Sequence, residues 1–224
     1  FDTYRMAASA IDEAIRNCVA VGAGQRRIAI PPSLLISAMG QLDDVEKAVT
    51  MDFKSPGNPI YVVGLTRNEM GGSHFAKVRN LAGGDAPRVD PELAKPLFAA
   101  VRRAIENGCV RACHDLSEGG LAVSLAEMAF SGGWGAEIDI EAVPRDDEAD
   151  ASASILFSES NSRFLLEVDA DQTTAFEQAF DGLPFARVGV VNDDDTVVVR
   201  RGDAVLIRAG IDDLKAAWQN ALDW

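Results

Sequence analysis

Apolar side chains at Met6, Ala10, Ile11, Ala14, Ile15, Cys18 and Val19 recur at helical spacing, with Asp12, Glu13, Arg16 and Asn17 on the other faces. The pattern predicts an amphipathic helix over 6–21. The chain then turns glycine-rich and basic at 21–27. Two apolar runs, 34–39 and 49–53, read as strands. The Lys-Ser-Pro-Gly-Asn-Pro stretch at 54–59 is the best candidate linker. Beyond it, 60–65 reads as a buried strand, and Gly71-Gly72-Ser73 precedes a short helix through Val78. Asp90-Pro91-Glu92 opens a helix with an N-capping aspartate and proline at the first helical position. That helix runs through Leu97, Val101 and Ile105 to a glycine stop at Gly108. Alternation of Trp134, Ala136, Ile138 and Ile140 marks a half-buried strand. Strands at 164–168, 186–191, 196–200 and 204–207, a helix at 173–180 and an amphipathic helix at 211–222 complete the pattern. Strands and helices mix without strict alternation, which predicts an α+β fold: a layered mixed sheet with helices.

The chemistry concentrates between Cys109 and Leu121. Val110 to Cys113 reads as a buried strand end, so His114 and Asp115 fall at its C-terminal end. Ser117 opens an apolar-periodic helix with Glu118 in its first turn and Gly119-Gly120 at its start. Free N–H groups at a helix start attract anions, and glycines let a phosphate approach the backbone. A neighbouring carboxylate can hold the accompanying metal ion. The plainer reading is that Asp115 or Ser117 caps the helix and the glycines pack against a neighbouring strand. Spacing alone favours that reading, because helix caps far outnumber nucleotide sites.

Composition narrows the function class. The length of 224 residues allows one large domain, or one plus part of another. A formal net charge of −14 argues against a nucleic-acid partner, which needs clustered lysine and arginine. The apolar runs are too short to span a membrane, and no basic, apolar leader opens the sequence. The three cysteines, Cys18, Cys109 and Cys113, lack a metal-binding spacing and read as buried thiols of a reducing cytoplasm. The acidic runs around Asp146 and Asp194 read as solvated loops.

Several separated motifs together resemble one family. They are Ala10 to Ala14 with Arg16 to Gly22, Pro31-Pro32-Ser33 with Leu34 to Gly40, Gly71-Gly72-Ser73, Val110 to Leu121, and Phe157-Ser158-Glu159-Ser160. In this order they resemble the C-terminal half of the phosphoribosylformylglycinamidine synthase family, over nearly the whole chain. The resemblance implies an ATP-dependent ligase of purine biosynthesis. It would convert formylglycinamide ribonucleotide, ATP and glutamine-derived ammonia to the amidine, ADP and phosphate. It also implies an aminoimidazole ribonucleotide synthetase C-terminal-like domain at 57–224, preceded at 1–56 by a remnant of an A-type, barrel-forming domain. The family carries a long nucleotide- and magnesium-contacting stretch after the first helix; here Gly22-Ala23 runs directly into Gly24-Gln25-Arg26-Arg27. The first A–B domain pair and the glutaminase part, both partners in the complete enzyme, are also absent. The chain alone is therefore expected to be inactive and to carry no catalytic residue.

Carried over residue by residue, the resemblance implies Asp115 as a magnesium ligand. It places His114, Ser117 and the Gly119-Gly120 backbone along an ATP or ADP phosphate pocket, with Glu159, Ser160 and Asn161 as a second wall. Plainer readings stand beside these: Glu159 paired with Arg163, His114 holding a loop, His74 as a surface residue at a helix start, and the tryptophans as packing. Alternative functions are another member of the superfamily (cyclo-ligase, selenophosphate synthetase or thiamine-phosphate kinase) or a domain that binds no ligand and serves pairing, including homodimerisation through an uncovered A-type face.

Overall fold

Two apolar runs form the centre of the molecule. In the computed structural model, which describes residues 3–24, 28–29 and 38–220, they are β3 (Pro59–Val63) and β6 (Phe164–Val168), with every residue buried. They pair antiparallel, Val63 opposite Phe164. Such runs suit strands covered on both faces. Ile60 and Val62 point into one core, and Tyr61 and Val63 into the other.

The full sheet has seven strands. Besides β3 and β6 these are β4 (Val110–Asp115), β5 (Gly135–Asp139), β7 (Phe185–Asn192), β8 (Thr196–Arg201) and β9 (Ala204–Gly210), in the order β4-β6-β3-β7-β5-β8-β9. Neighbours are antiparallel except β5 and β8, so the sheet is mixed. On one face lie α1 (Thr3–Ala20), α3 (Pro91–Glu106) and α6 (Thr173–Ala179). On the other lie α4 (Gly120–Gly132), α5 (Ser152–Phe157) and α7 (Ile211–Asn220). The expected layered α+β architecture is what forms. A separate antiparallel pair joins β1 (Ile28–Ala29) to β2 (Met39–Gly40), and α2 (His74–Val78) stands after β3. Among the described residues, no helix is long and apolar enough to cross a membrane. The Pro31-Pro32-Ser33 motif, the strand predicted at 34–39 up to its last two residues, the basic stretch Gln25 to Arg27 and the last four residues of the chain lie outside the described set.

Local signals acted as expected at several ends. Asp90 caps α3, its Oδ1 accepting from the N–H of Glu92 at 3.1 Å and of Leu93 at 3.3 Å. Ser73 caps α2 through the N–H of Ala76. The stretch 54–59 forms a turn pinned to the sheet. The fully buried Glu167 accepts from Lys54 N at 2.7 Å, Ser55 N at 3.0 Å and Asn58 Nδ2 at 2.6 Å.

Three expectations need correction. The run 49–53 is not a strand; Thr50 alone bridges Ala112, and Phe53 turns inward beneath α4, donating its N–H to Met128 O. The helix after β4 begins at Gly120 rather than Ser117, because Ser117 Oγ bonds the Asp115 carboxylate and Gly119 has φ 76°. Most consequential is α1, two of whose polar side chains, Asp12 and Arg16, face inward. Asp12 and Arg16 are 3% and 2% exposed, whereas Ile11 is 43% exposed.

Candidate functional site

The inward polar stripe of α1 meets the end of β4 and the loop 158–163. Arg16 Nε lies 2.8 Å from Asp12 Oδ2, and its Nη1 lies 3.6 Å from Asp115 Oδ2 and donates to Leu116 O. Asp12 also accepts from Ser162, from the N–H at 3.0 Å and from Oγ at 2.6 Å. Asp115 Oδ2 accepts from Ser117 Oγ at 2.5 Å, and Asp115 Oδ1 stands 3.4 Å from His114 Nδ1. His114 Nε2 reaches Glu127 Oε2 at 2.8 Å. A chain of alternating charge therefore runs from Asp12 through Arg16, Asp115 and His114 to Glu127.

The charge states follow from these contacts. Burial disfavours a charged His114 ring, but the flanking Asp115 and Glu127 outweigh it and raise the pKa to about 9. Burial would likewise raise Asp115; hydrogen bonds from His114 and Ser117 and the charge of Arg16 hold it below the ordinary value. Glu13, on the same helix, is pushed up by burial and by Glu118.

The loop 158–163 forms the second half of the site. Glu159 Oε1 accepts from the N–H of Gly119 and the N–H of His74, each at 2.9 Å, and lies 3.4 Å from His74 Nδ1. Glu159 thus pairs with His74 rather than Arg163, and His74 is tied into the site. Ser160 Oγ accepts from Arg67 N at 3.0 Å and lies 3.0 Å from Ser158 Oγ. Asn161 Nδ2 donates to Ser9 Oγ at 2.9 Å. Arg163 is fully buried; it donates to Ser160 O at 3.0 Å, Thr66 Oγ1 at 2.9 Å and Ser158 O at 2.5 Å. Burial, with Arg16 nearby, lowers its pKa to about 9.

Glycine is required where the two halves touch. A Cβ on Gly120, at φ 63°, would stand 2.5 Å from Ser158 O and 2.9 Å from Leu156 O. One on Gly64 would stand 2.5 Å from Ser162 O. Gly120 therefore does pack against backbone, at the C-terminal end of α5 rather than a strand, whereas a Cβ on Gly119 would meet the Val123 side chain.

All eight residues expected at a site lie around this junction. His114, Asp115 and Ser117 form one group and Gly119, Gly120 and Glu159 a second, while Ser160 and Asn161 face the 67 and 9 regions. Their polar groups are largely bonded to one another. The Gly119 N–H meets Glu159, and the Gly120 N–H meets Ser117 O. The donor set does not fit a magnesium ion held by this chain alone. Asp115 already faces Arg16 and a charged His114, and no three His, Cys, Asp or Glu side chains converge as a metal-binding group among the described residues. Asp12, Arg16, Glu127, Thr66 and Arg163 escaped sequence reading as site residues. The one available signal was the i, i+4 pairing of Asp12 with Arg16.

Residues 55–202 match the family described as AIR synthase related protein, C-terminal domain. The chain is 36% identical over 191 residues to the phosphoribosylformylglycinamidine synthase subunit PurL of Thermococcus sibiricus, covering 85% of this chain and 26% of that protein. It is 33% identical over 196 residues to the same subunit of Alkaliphilus metalliredigens, covering 86% and 26%. The chain thus spans about a quarter of the length of these relatives. Among solved structures, T. maritima PurL complexed with ATP superposes with a TM-score of 0.76 at 18% identity, over 95% of this chain and 41% of that one. The hydrogenase maturation protein HypE in complex with ATP superposes with a TM-score of 0.55 at 17% identity, over 77% and 56%. At these identities the superpositions show the fold alone.

Proposed function

The chain belongs to the AIR synthase related protein family, whose C-terminal domain it carries at residues 55–202, and from that premise we propose that it is the C-terminal part of a phosphoribosylformylglycinamidine synthase. The observation that carries this reading is identity above 30% to two such subunits over some 85% of the chain. In this reading residues 57–224 are the B-type domain, and residues 1–56 are part of the A-type domain before it. The complete enzyme joins ammonia to formylglycinamide ribonucleotide at the expense of ATP in the cytoplasm, where the free thiols of Cys18, Cys109 and Cys113 suit a reducing medium. Structures of the same fold include T. maritima PurL complexed with FGAR and a PurLQS structure, which support a ribonucleotide substrate and partner subunits.

This chain's own residues contribute order rather than bond chemistry. The Asp12–Arg16–Asp115–His114–Glu127 series fixes the end of β4 against α1 and α4. Arg163 fixes the loop that carries Glu159, Ser160 and Asn161. With His114, Ser117 and the Gly119-Gly120 backbone, these residues border the nucleotide-facing side of the B-type domain in the complete enzyme. ATP, when bound, would supply the phosphoryl group that leaves as phosphate.

A chimaera tests the reading. Residues 55–202 of this chain replace the matched domain of the Thermococcus sibiricus subunit, and ADP release is followed with formylglycinamide ribonucleotide, ATP and ammonium. Substrate-dependent ADP release is expected. A folded chimaera that binds its partners yet releases no ADP would refute the assignment.

A further inference from the structure

Two glutamates are buried among the described residues, and they are satisfied unequally. Glu167 accepts three hydrogen bonds, spread over both of its oxygens. Glu69 is 3% exposed; its Oε1 accepts from Arg88 N at 2.9 Å, but its Oε2 is buried with no hydrogen-bond partner. The buried Arg163 does not fill this gap, because its three nitrogens donate to Ser160 O, Thr66 Oγ1 and Ser158 O. A buried carboxylate oxygen without a donor has lost its hydration and gained nothing in return, so it calls for a partner.

Glu69 lies at the floor of a cavity of about 500 Å³, walled by the segments 67–69, 85–91 and 146–148. That size suits a small molecule rather than a lone ion. Asp85, Asp90, Asp146 and Glu148 line it together with Glu69, against Arg67 and Arg88, which leaves a surplus of three negative charges. Both arginines already face acids of the same lining at 3.8 Å, Arg67 towards Asp90 and Arg88 towards Asp85. Asp90 Oδ1 takes the N–H groups of Glu92 and Leu93, so the start of α3 offers the cavity no anion site. The acidic surplus and the unpartnered oxygen together select a cation. Among the described residues no three acidic side chains converge as a metal-binding group. The cation is therefore one that hydrogen-bonds at separate points rather than one that gathers oxygens around itself.

We propose that this cavity binds a small diamine, one ammonium donating to Glu69 Oε2 and the other meeting the acidic turn at Asp146 and Glu148. The first contact supplies the donor that the buried oxygen lacks. The second charge answers the rest of the acidic surplus, which a monoamine would leave unmet. This site is independent of the family assignment.

1,4-Diaminobutane is the probe, with butylamine as the single cation, inorganic phosphate as the anion and magnesium chloride as the metal. Affinity for the 224-residue chain is read by calorimetry. Amide NMR locates the site: the Arg88 N–H, which donates to Glu69, should shift on binding, and the Lys54 N–H, which donates to Glu167, should not. The diamine is expected to bind at least about tenfold more tightly than butylamine, and neither phosphate nor magnesium should displace it. Glu69→Gln, which keeps an acceptor for Arg88, should weaken the diamine about tenfold or more. Glu148→Gln, at an exposed position, should weaken it about threefold or more and carries the test if Glu69→Gln does not fold. Butylamine binding as tightly as the diamine, displacement by magnesium or phosphate, an unmoved Arg88 amide, unchanged affinity in a folded variant, or no binding would each overturn the proposal.

Discussion

Replacing His114 by glutamine should remove a part of the stability that depends on pH. The ring is held between Asp115 and Glu127, which raise its pKa from the ordinary 6.5 to about 9. The folded protein thus binds the ring's proton more tightly than the unfolded chain does. A rise of this size corresponds to about 3 kcal/mol at 1.36 kcal/mol per pH unit. The contribution is complete below the unfolded pKa near 6.5 and is lost as pH climbs through 9. Its lower bound is set by Asp115, whose lowered pKa keeps the partner charged until the solution is below its ordinary 3.8. Urea unfolding of both proteins, every half unit from pH 5.5 to 10, gives the two stability curves. Glutamine also forfeits part of each hydrogen bond, which lowers its curve by an amount independent of pH. The gap between the curves should shrink by about 3 kcal/mol from pH 6 to pH 10. A gap that stays constant across this range would show that His114 is neutral in the fold and that the charge series is wrong.

Two further substitutions probe the junction and the turn. Gly120→Ala should cost about 2–4 kcal/mol, because the new Cβ meets the carbonyl oxygens of Leu156 and Ser158 at the end of α5, at a positive φ; urea unfolding near full stability would disprove that contact. Glu167→Ala should strand three donors of the 54–58 turn at a cost of about 2–4 kcal/mol, with hydrogen exchange rising at Lys54 and Ser55 more than at β6; unchanged protection there would refute the pinning role.

Much of the sheet was legible because β3 and β6 are apolar but for Glu167, and β5 alternates. Helix ends with a single dominant signal, such as Asp90-Pro91, were legible for the same reason. The site was legible in its membership but not in its wiring. Period-3.6 reasoning treats the apolar stripe of α1 as its buried face; here both Val19 and the Asp12–Arg16 pair are buried, because the pair satisfies a loop 150 residues away. A local pattern carries no information about such a partner. Arg163 shows the same limit. It stood in sequence as a surface-type cation near Glu159, but its fork satisfies two backbone carbonyls and a hydroxyl in a fully buried turn.

The glycine start of α4 links the fold to the proposed nucleotide role, and its present occupant makes that link testable. Glu159 Oε1 takes the N–H groups of both Gly119 and His74, the two donors that a phosphate oxygen would use. A hydrogen bond to a charged acceptor is worth about 1.5–3 kcal/mol, so an arriving phosphate must displace a carboxylate held by about 3 kcal/mol or more. It must also approach Asp115, Glu118 and Glu13, the last of which is raised first by burial and then by the charge of Glu118. Removing the occupant with Glu159→Ala should therefore tighten the binding of inorganic phosphate and of ADP by at least about tenfold in calorimetry. Unchanged or weaker binding by a folded variant would refute the occupant role, and weaker binding would show that Glu159 is a wall of the nucleotide pocket that contacts the ligand directly. The sign of one affinity change thus separates a carboxylate that excludes the anion from one that helps to hold its ligand.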